Sequence, residues 1–257
     1  MSIKHIVVIA STALLPSVLQ AADLARAPRM TMVTASDWAI SVTAYTWMSG
    51  LNGKQGLFGL PDIDVNLKFR DILPALDFAA SGIVEASNGT YGFVGEANFV
   101  KISDKDRGPA GFVGLKLRST SFFGLAAGTY RVAEGDWGNI ELIGGAKFFS
   151  FSNRVVLSAA APLPVLIGSE TQSWVDATFG VKARYNLSPD WFLTGWAMAG
   201  AGGSNYHWDL LGAVGYQFSP TWSVSLGYRA IGVDYKSARF SYDMVQHGPL
   251  LGVTARF

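Results

Sequence analysis

Three histidines are spread through 257 residues, and two of them lie near carboxylates. His207 and Asp209 are two apart, a spacing that puts both side chains on one face of an extended strand, at the outer rim. His247 follows Asp243 and would meet it if the intervening segment folds compactly. A histidine held by a carboxylate is a minimum for general acid–base work. Nucleophilic catalysis needs more, and no nucleophile elbow accompanies either pair. The chain has no cysteine, which removes thiolate chemistry, disulfides and Cys-type zinc sites. No metal-ligand spacing and no phosphate-binding glycine loop is present. The expectation is therefore no enzyme: no catalytic residue, no metal and no cofactor. Any hydrolase reading would rest on His207.

The remaining chemistry-bearing residues are charges set at every second position within apolar stretches. In one such stretch Val175, Ala177, Phe179, Val181, Ala183, Tyr185 and Leu187 alternate with Asp176, Thr178, Gly180, Lys182, Arg184 and Asn186. Period-two alternation makes this a strand with one apolar and one polar face. The same phase puts Asp77, Glu85, Glu96, Glu141 and Asp209 on polar faces, with Arg131, Lys147, Arg229 and Arg256. Facing a common interior, six acids (with Asp176) would meet six bases (with Lys182 and Arg184). They are expected to pair, because an isolated charge in a low-dielectric lumen costs several kcal/mol. Arg256 is expected to find Glu85 or Glu141. Two outcomes are open: a salt-bridged plug that stiffens a barrel, or a polar path for small hydrophilic solutes.

The elements that carry these residues read as strands near 37–48, 77–86, 91–99, 111–132, 140–148, 174–187, 192–200, 208–218, 222–230 and 250–257. The facing of 37–48 and 192–200 is unresolved, since both of their faces are apolar. Asn88-Gly89 is a strong hairpin signal. Ser188-Pro189-Asp190-Trp191 and Ser219-Pro220-Thr221-Trp222 are one turn used twice. Aromatic residues gather beside every short turn: Tyr91, Tyr130, Trp137, Tyr185, Trp191, Phe218 and Trp222, with terminal Phe257 at the same level. Such a belt suits a membrane interface, where a ring is apolar and its tip wet. A soluble sandwich also alternates, but it has no reason for the belt. Longer loops are expected at 49–76, 101–107, 150–173 and 236–246. The apolar run Val155–Gly168 holds two prolines, so it is expected to fold into the mouth or rest on its lip. The phase slips near Ile231-Gly232, as at a bulge, and Pro249 suits an early position of the last strand.

The fold class is thus an all-β, transmembrane antiparallel up-and-down β-barrel of about ten strands, with eight or twelve open. Residues 1–21 read as a signal peptide, with Lys4 before an apolar core and Leu19-Gln20-Ala21 as cleavage site. Residues 22–36 read as a periplasmic segment and 37–257 as the barrel. Hydrophobic residues make up 49% of the chain and charged ones 15%, yet no apolar run after the N-terminus is long enough for a membrane helix. A net charge of +1 offers no basic stripe for nucleic acid. Outer-membrane location in a Gram-negative bacterium follows as an expectation.

The pattern resembles the small outer-membrane barrel superfamily that includes the OmpA and OmpW barrels. More locally, Leu226-Gly227-Tyr228-Arg229, Val233-Asp234-Tyr235, His247-Gly248-Pro249-Leu250-Leu251-Gly252 and Val65 to Leu73 resemble an uncharacterised alphaproteobacterial family of such barrels. That resemblance implies a fold and a location, with outer-membrane lipid and lipopolysaccharide as surroundings. It also implies recognition of the C-terminal strand, ending in Phe257, by the barrel-assembly machinery. It names no extracellular ligand and no reaction. Three functions are carried forward: a structural or narrow porin-like barrel, a surface-interaction protein acting through long loops, and a rim hydrolase of outer-membrane protease or lipid A-modifying type.

Overall fold

Alternation along nearly the whole chain produces twelve strands and almost no helix in the computed structural model, which describes residues 38–107, 113–159 and 166–257. The signal peptide and the 22–36 segment lie outside the described residues, as does the centre of the 155–168 run. In chain order the strands are β1 (Ala39–Trp47), β2 (Gly50–Gly56), β3 (Ile63–Leu67), β4 (Leu76–Ser87), β5 (Tyr91–Arg107) and β6 (Val113–Gly135). Then follow β7 (Gly138–Ala159), β8 (Leu166–Asn186), β9 (Trp191–Gly202), β10 (Tyr206–Gln217), β11 (Trp222–Lys236) and β12 (Ser241–Arg256). A one-turn helix, α1 (Phe69–Ile72), precedes β4.

Ten of these strands close on themselves. β1 pairs with β4, β4 to β12 pair in sequence, and β12 returns to β1 in a register running from Ser41↔Arg256 to Trp47↔Leu250. All pairings are antiparallel, so the architecture is a ten-strand transmembrane β-barrel. β2 and β3 form an extra hairpin at one end. β2 continues the register of β1 on β12, from His247↔Gly50 onward. The break between them has a covalent cause. Met48 donates its N–H to the Pro249 carbonyl at 2.9 Å, but the Pro249 ring nitrogen has no hydrogen to return. Pro249 therefore sits mid-strand in β12, not near its start, and the interruption at positions 48–49 absorbs its missing donor.

The faces separate by solvent preference. Outside, Phe93, Phe179, Val181, Leu193, Leu226, Leu251 and Val253 are exposed, as a lipid-facing surface requires. Inside, β1 contributes Ser41, Thr43, Tyr45 and Trp47, while β9 contributes Phe192, Thr194, Trp196 and Met198. Both strands looked two-faced because their inward side chains are largely aromatic.

One end of the barrel is made of tight turns. Asn88 Oδ1 accepts from the N–H groups of Thr90 and Tyr91, and Gly89 supplies a φ of 95°. In the two Ser-Pro turns the serine hydroxyl accepts the tryptophan N–H, at 3.1 Å in Ser188–Trp191 and 3.0 Å in Ser219–Trp222. At the other end the strands run further than alternation indicates. Segment 101–107 is not a loop but the end of β5, and β7 and β8 stay paired through Leu157↔Leu166. Residues 236 and 241–246 belong to strands, leaving a turn closed by Ser237 N–H on the Phe240 carbonyl. No bulge exists at Ile231-Gly232, because β11 holds an unbroken register with β12 up to Lys236↔Ser241. The slip in polarity marks the height at which the inward face becomes apolar.

Candidate functional site in the barrel lumen

The inward residues stack in layers, and β7 alone shows the order: Glu141, Ile143, Gly145, Lys147, Phe149, Phe151. Reading up from the tight turns, a charged vestibule is followed by an apolar layer, a second charged layer and an aromatic roof. The first apolar layer is Val94, Leu125, Ala127, Ile143, Trp196 and Met198. The roof includes Trp47, Phe123, Phe149, Phe151, Trp174 and Tyr242.

Arg229 organises the charged layer at mid-height. Its Nε donates to Asp209 Oδ1 at 3.0 Å and its Nη2 to Asp209 Oδ2 at 2.7 Å, a two-pronged grip. The same guanidinium donates to both oxygens of Glu96, through Nη1 and, at 2.8 Å, through Nη2. Lys147 pairs with Asp209, and Trp196 Nε1 donates to the same carboxylate at 3.1 Å. Tyr45 donates its hydroxyl to Glu96 at 2.5 Å and receives Arg229 Nη1 at 3.0 Å. Two cations and two carboxylates cancel, and aromatic faces of Trp47, Phe123 and Trp196 lie 5.1–5.4 Å from the guanidinium. Arg229, Lys147 and Asp209 are each 0% exposed. Such burial is tolerable because Arg229 makes five donations and both Asp209 oxygens accept, with Lys147 held on the same carboxylate. The layer ties β1, β5, β7, β9, β10 and β11 across the lumen.

Beside it, Asp176 accepts from Ser204 through N–H at 2.8 Å and hydroxyl at 2.6 Å, and contacts His207 Nδ1 at 2.9 Å. A carboxylate only accepts, so His207 donates from Nδ1 and presents Nε2 to the Thr178 hydroxyl at 3.2 Å. Hydroxyl, imidazole and carboxylate thus stand in the order of a hydrolytic triad. All three are buried, His207 at 1% exposure, so no substrate reaches them from the surface. His207 and Asp209 do share the lumen, but each has a different partner. His247 does not meet Asp243. The extended β12 separates them by about 13 Å at 3.3 Å per residue, and His247 contacts Asn52 at 2.9 Å and Tyr228 at 2.5 Å.

The vestibule at the tight-turn end is arranged differently. Lys182 pairs with Glu85 at 2.6 Å and with Glu141 at 3.5 Å. Arg131 reaches Glu141 at 3.2 Å and Glu134 at 2.9 Å. Arg184 and Arg256 make no ion pair with any described residue; Arg184 instead lies 3.5 Å over the Phe192 ring. The expected pairing of Arg256 with Glu85 or Glu141 does not form: Glu85 pairs with Lys182, and Glu141 with Lys182 and Arg131. Asp77 is not in the lumen at all. A register shift at Leu76/Phe78 turns it out, where it accepts from Ser103 at 2.6 Å. The vestibule comprises adjoining cavities of about 110 and 390 Å³ that share Ser41, Glu85, Lys182, Arg184, Thr194 and Arg256. A further cavity of about 360 Å³ lies at the other end, between the β2–β3 hairpin and β5–β7, lined by apolar residues such as Leu51, Val65, Ile102 and Met244.

The sequence-predicted aromatics Tyr91, Tyr130, Trp137, Tyr185, Trp191, Phe218, Trp222 and Phe257 are all exposed beside the tight turns or the C-terminus. Tyr91 packs on Tyr130, with ring centroids 5.4 Å apart. Sequence reasoning missed Tyr45, Trp196 and Ser204 as lumen partners, and placed Thr178 on the polar face without pairing it with His207. A signal existed for the first two: an aromatic with a polar tip, in phase with inward residues. No group of His, Asp and Glu able to hold a metal occurs among the described residues.

These features define a class: a transmembrane barrel with a buried, neutral charge layer at mid-height. No family model matches the chain, and no curated protein is significantly similar to it. Among solved structures it is similar to the outer-membrane protease OmpT from Escherichia coli, at 10% identity and TM-score 0.54, covering 89% of this chain and 99% of that one. It is also similar to the translocator domain of the autotransporter NalP from Neisseria meningitidis, at 14% identity and TM-score 0.47, covering 88% and 90%. The attachment invasion locus protein Ail of Yersinia pestis follows at 9% identity and TM-score 0.35, covering 86% and 98%. At these identities the likeness to OmpT is one of fold alone.

Proposed function

We propose that this chain is a closed, non-enzymatic outer-membrane β-barrel of a Gram-negative bacterium, structural in role, and not an open pore. The observation that carries this reading is the Arg229 layer, buried and neutral between an apolar layer and an aromatic roof. Arg229, Lys147 and Asp209 have no exposure to solvent in this stack, which argues against a water-filled path at that height. The lipid-facing band and the belt ending in Phe257 support residence among outer-membrane lipid and lipopolysaccharide, with the last strand offered to the barrel-assembly machinery. The likeness of segments 65–73, 226–229, 233–235 and 247–252 to the alphaproteobacterial barrel family agrees with that placement. A non-enzymatic role is supported by the sealed position of Thr178, His207 and Asp176. Conductance across a planar bilayer tests it. Folded protein should give no unitary steps, and regular steps from the unaltered chain would overturn the proposal.

A second reading has its own observation. β6, β7 and β8 are 23, 22 and 21 residues long, whereas a barrel strand crosses a membrane in about 9–11. The excess forms a wall standing beyond the lipid, suited to a surface-interaction role. Shortening the β7–β8 tip should leave the barrel folded and abolish such binding; unchanged binding would remove this reading.

A further inference from the structure

The inner chamber of the vestibule carries an uncompensated charge. Its wall holds three cations, Lys182, Arg184 and Arg256, against one carboxylate, Glu85. Lys182 already claims Glu85 at 2.6 Å, and Glu141 nearby is shared by Lys182 and Arg131. Arg184 on β8 and Arg256 on β12 come from strands with three others between them, yet each stands in the other's field. Like charges held together in a partly enclosed cavity repel, and the one carboxylate that acts on Arg184, Glu85, is already ion-paired with Lys182, so the wall keeps a net positive charge.

The geometry also presents donors. Arg184 rests 3.5 Å over the Phe192 ring, a contact that uses none of its N–H groups. Arg131, lining the outer chamber, has a buried Nε with no acceptor. Of the hydroxyls on the inner wall, Ser41 donates to Glu85 at 3.5 Å and Thr194 to the Ala183 carbonyl at 3.4 Å, which leaves Ser223 as a further donor. Two guanidinium forks and a hydroxyl lining one small chamber match the acceptor-rich surface of a tetrahedral oxyanion.

We propose that this chamber binds a phosphate group entering by the tight-turn mouth, with Arg184 and Arg256 as its principal donors and Lys182 as an added field. The site is independent of whether the lumen conducts. Free phosphate and the phosphate of a small headgroup share this chemistry. The full chain, folded in nonionic detergent at low salt, is titrated calorimetrically with inorganic phosphate and, in a second arm, with glycerol 3-phosphate. Saturable one-to-one binding is expected. Arg184→Gln or Arg256→Gln should weaken it about tenfold, the loss typical of one charge-assisted contact. The double variant should abolish it, and exposed Arg70→Gln should change nothing. Arg256→Lys keeps the charge and so guards against a folding artefact; it should retain part of the affinity. Heat-dependent gel migration checks that every variant is folded. Tighter binding of glycerol 3-phosphate assigns the site to headgroups, and equal binding assigns it to the free ion. Folded protein that shows no saturable binding, or a double variant that binds as well as the parent, overturns the proposal.

Discussion

Mid-lumen and vestibule are built from the same ingredients, inward Arg, Lys, Asp and Glu on alternating strands, and they reach opposite outcomes. At mid-height Arg229 serves two carboxylates, Lys147 completes the count, and aromatic rings fill what remains. At the tight-turn end Arg184 and Arg256 face a chamber in which every nearby acid is already taken. The difference lies in what covers the charge. Under an apolar roof an unpaired ion is prohibitive, so pairing is complete and the layer acts as a strut. In an open vestibule water solvates the excess, and an uncompensated field survives to act on a solute.

Breaking the mid-lumen strut should have the largest effect. Arg229→Ala strands Glu96 in the dry layer and should cost about 3–5 kcal/mol, the usual penalty for orphaning a buried ion. Unfolding midpoints in urea would read this. Arg229→Met combined with Glu96→Gln removes the pair together and leaves Lys147 with Asp209, so it should cost clearly less than either change alone. If the double change costs as much as the sum, the two residues are not coupled and the strut fails as a description. The same experiment in the vestibule should do almost nothing. Arg184→Gln removes a repelled, partly solvated charge and should move stability by no more than about 0.5 kcal/mol. A loss comparable to that of Arg229→Ala would erase the contrast between the two regions.

How far the sequence alone reaches follows the same division. Near the lipid the two faces meet different media, so 174–187 and 250–257 declare their inward residues, and a barrel of about ten strands follows, with eight or twelve left open. Beyond the lipid both faces meet water or protein, alternation fades, and the charged run 101–107 looks like a loop although it is paired strand. Within the lumen the roof inverts the code: Ile231 and Val233 point inward but look outward, which imitates a bulge. Pairing is less readable still. That Arg256 lacks a partner follows from Lys182 reaching Glu85 across the barrel, a contact between β4 and β8 that no local pattern carries. The register shift that turns Asp77 outward is equally silent in spacing.

A closed barrel of the proposed kind has a lumen that is wet up to the vestibule and dry at the Arg229 layer. The absence of cysteine makes this directly measurable, since any introduced thiol is the sole one in the chain. Ser41→Cys places a thiol on the vestibule wall, and Thr178→Cys places one beside His207 in the sealed layer. Both variants, folded in lipid vesicles, are exposed to a charged, membrane-impermeant thiol reagent. Rapid modification is expected at position 41, with protection at position 178 until the protein is unfolded. Equal labelling rates at the two positions would contradict it.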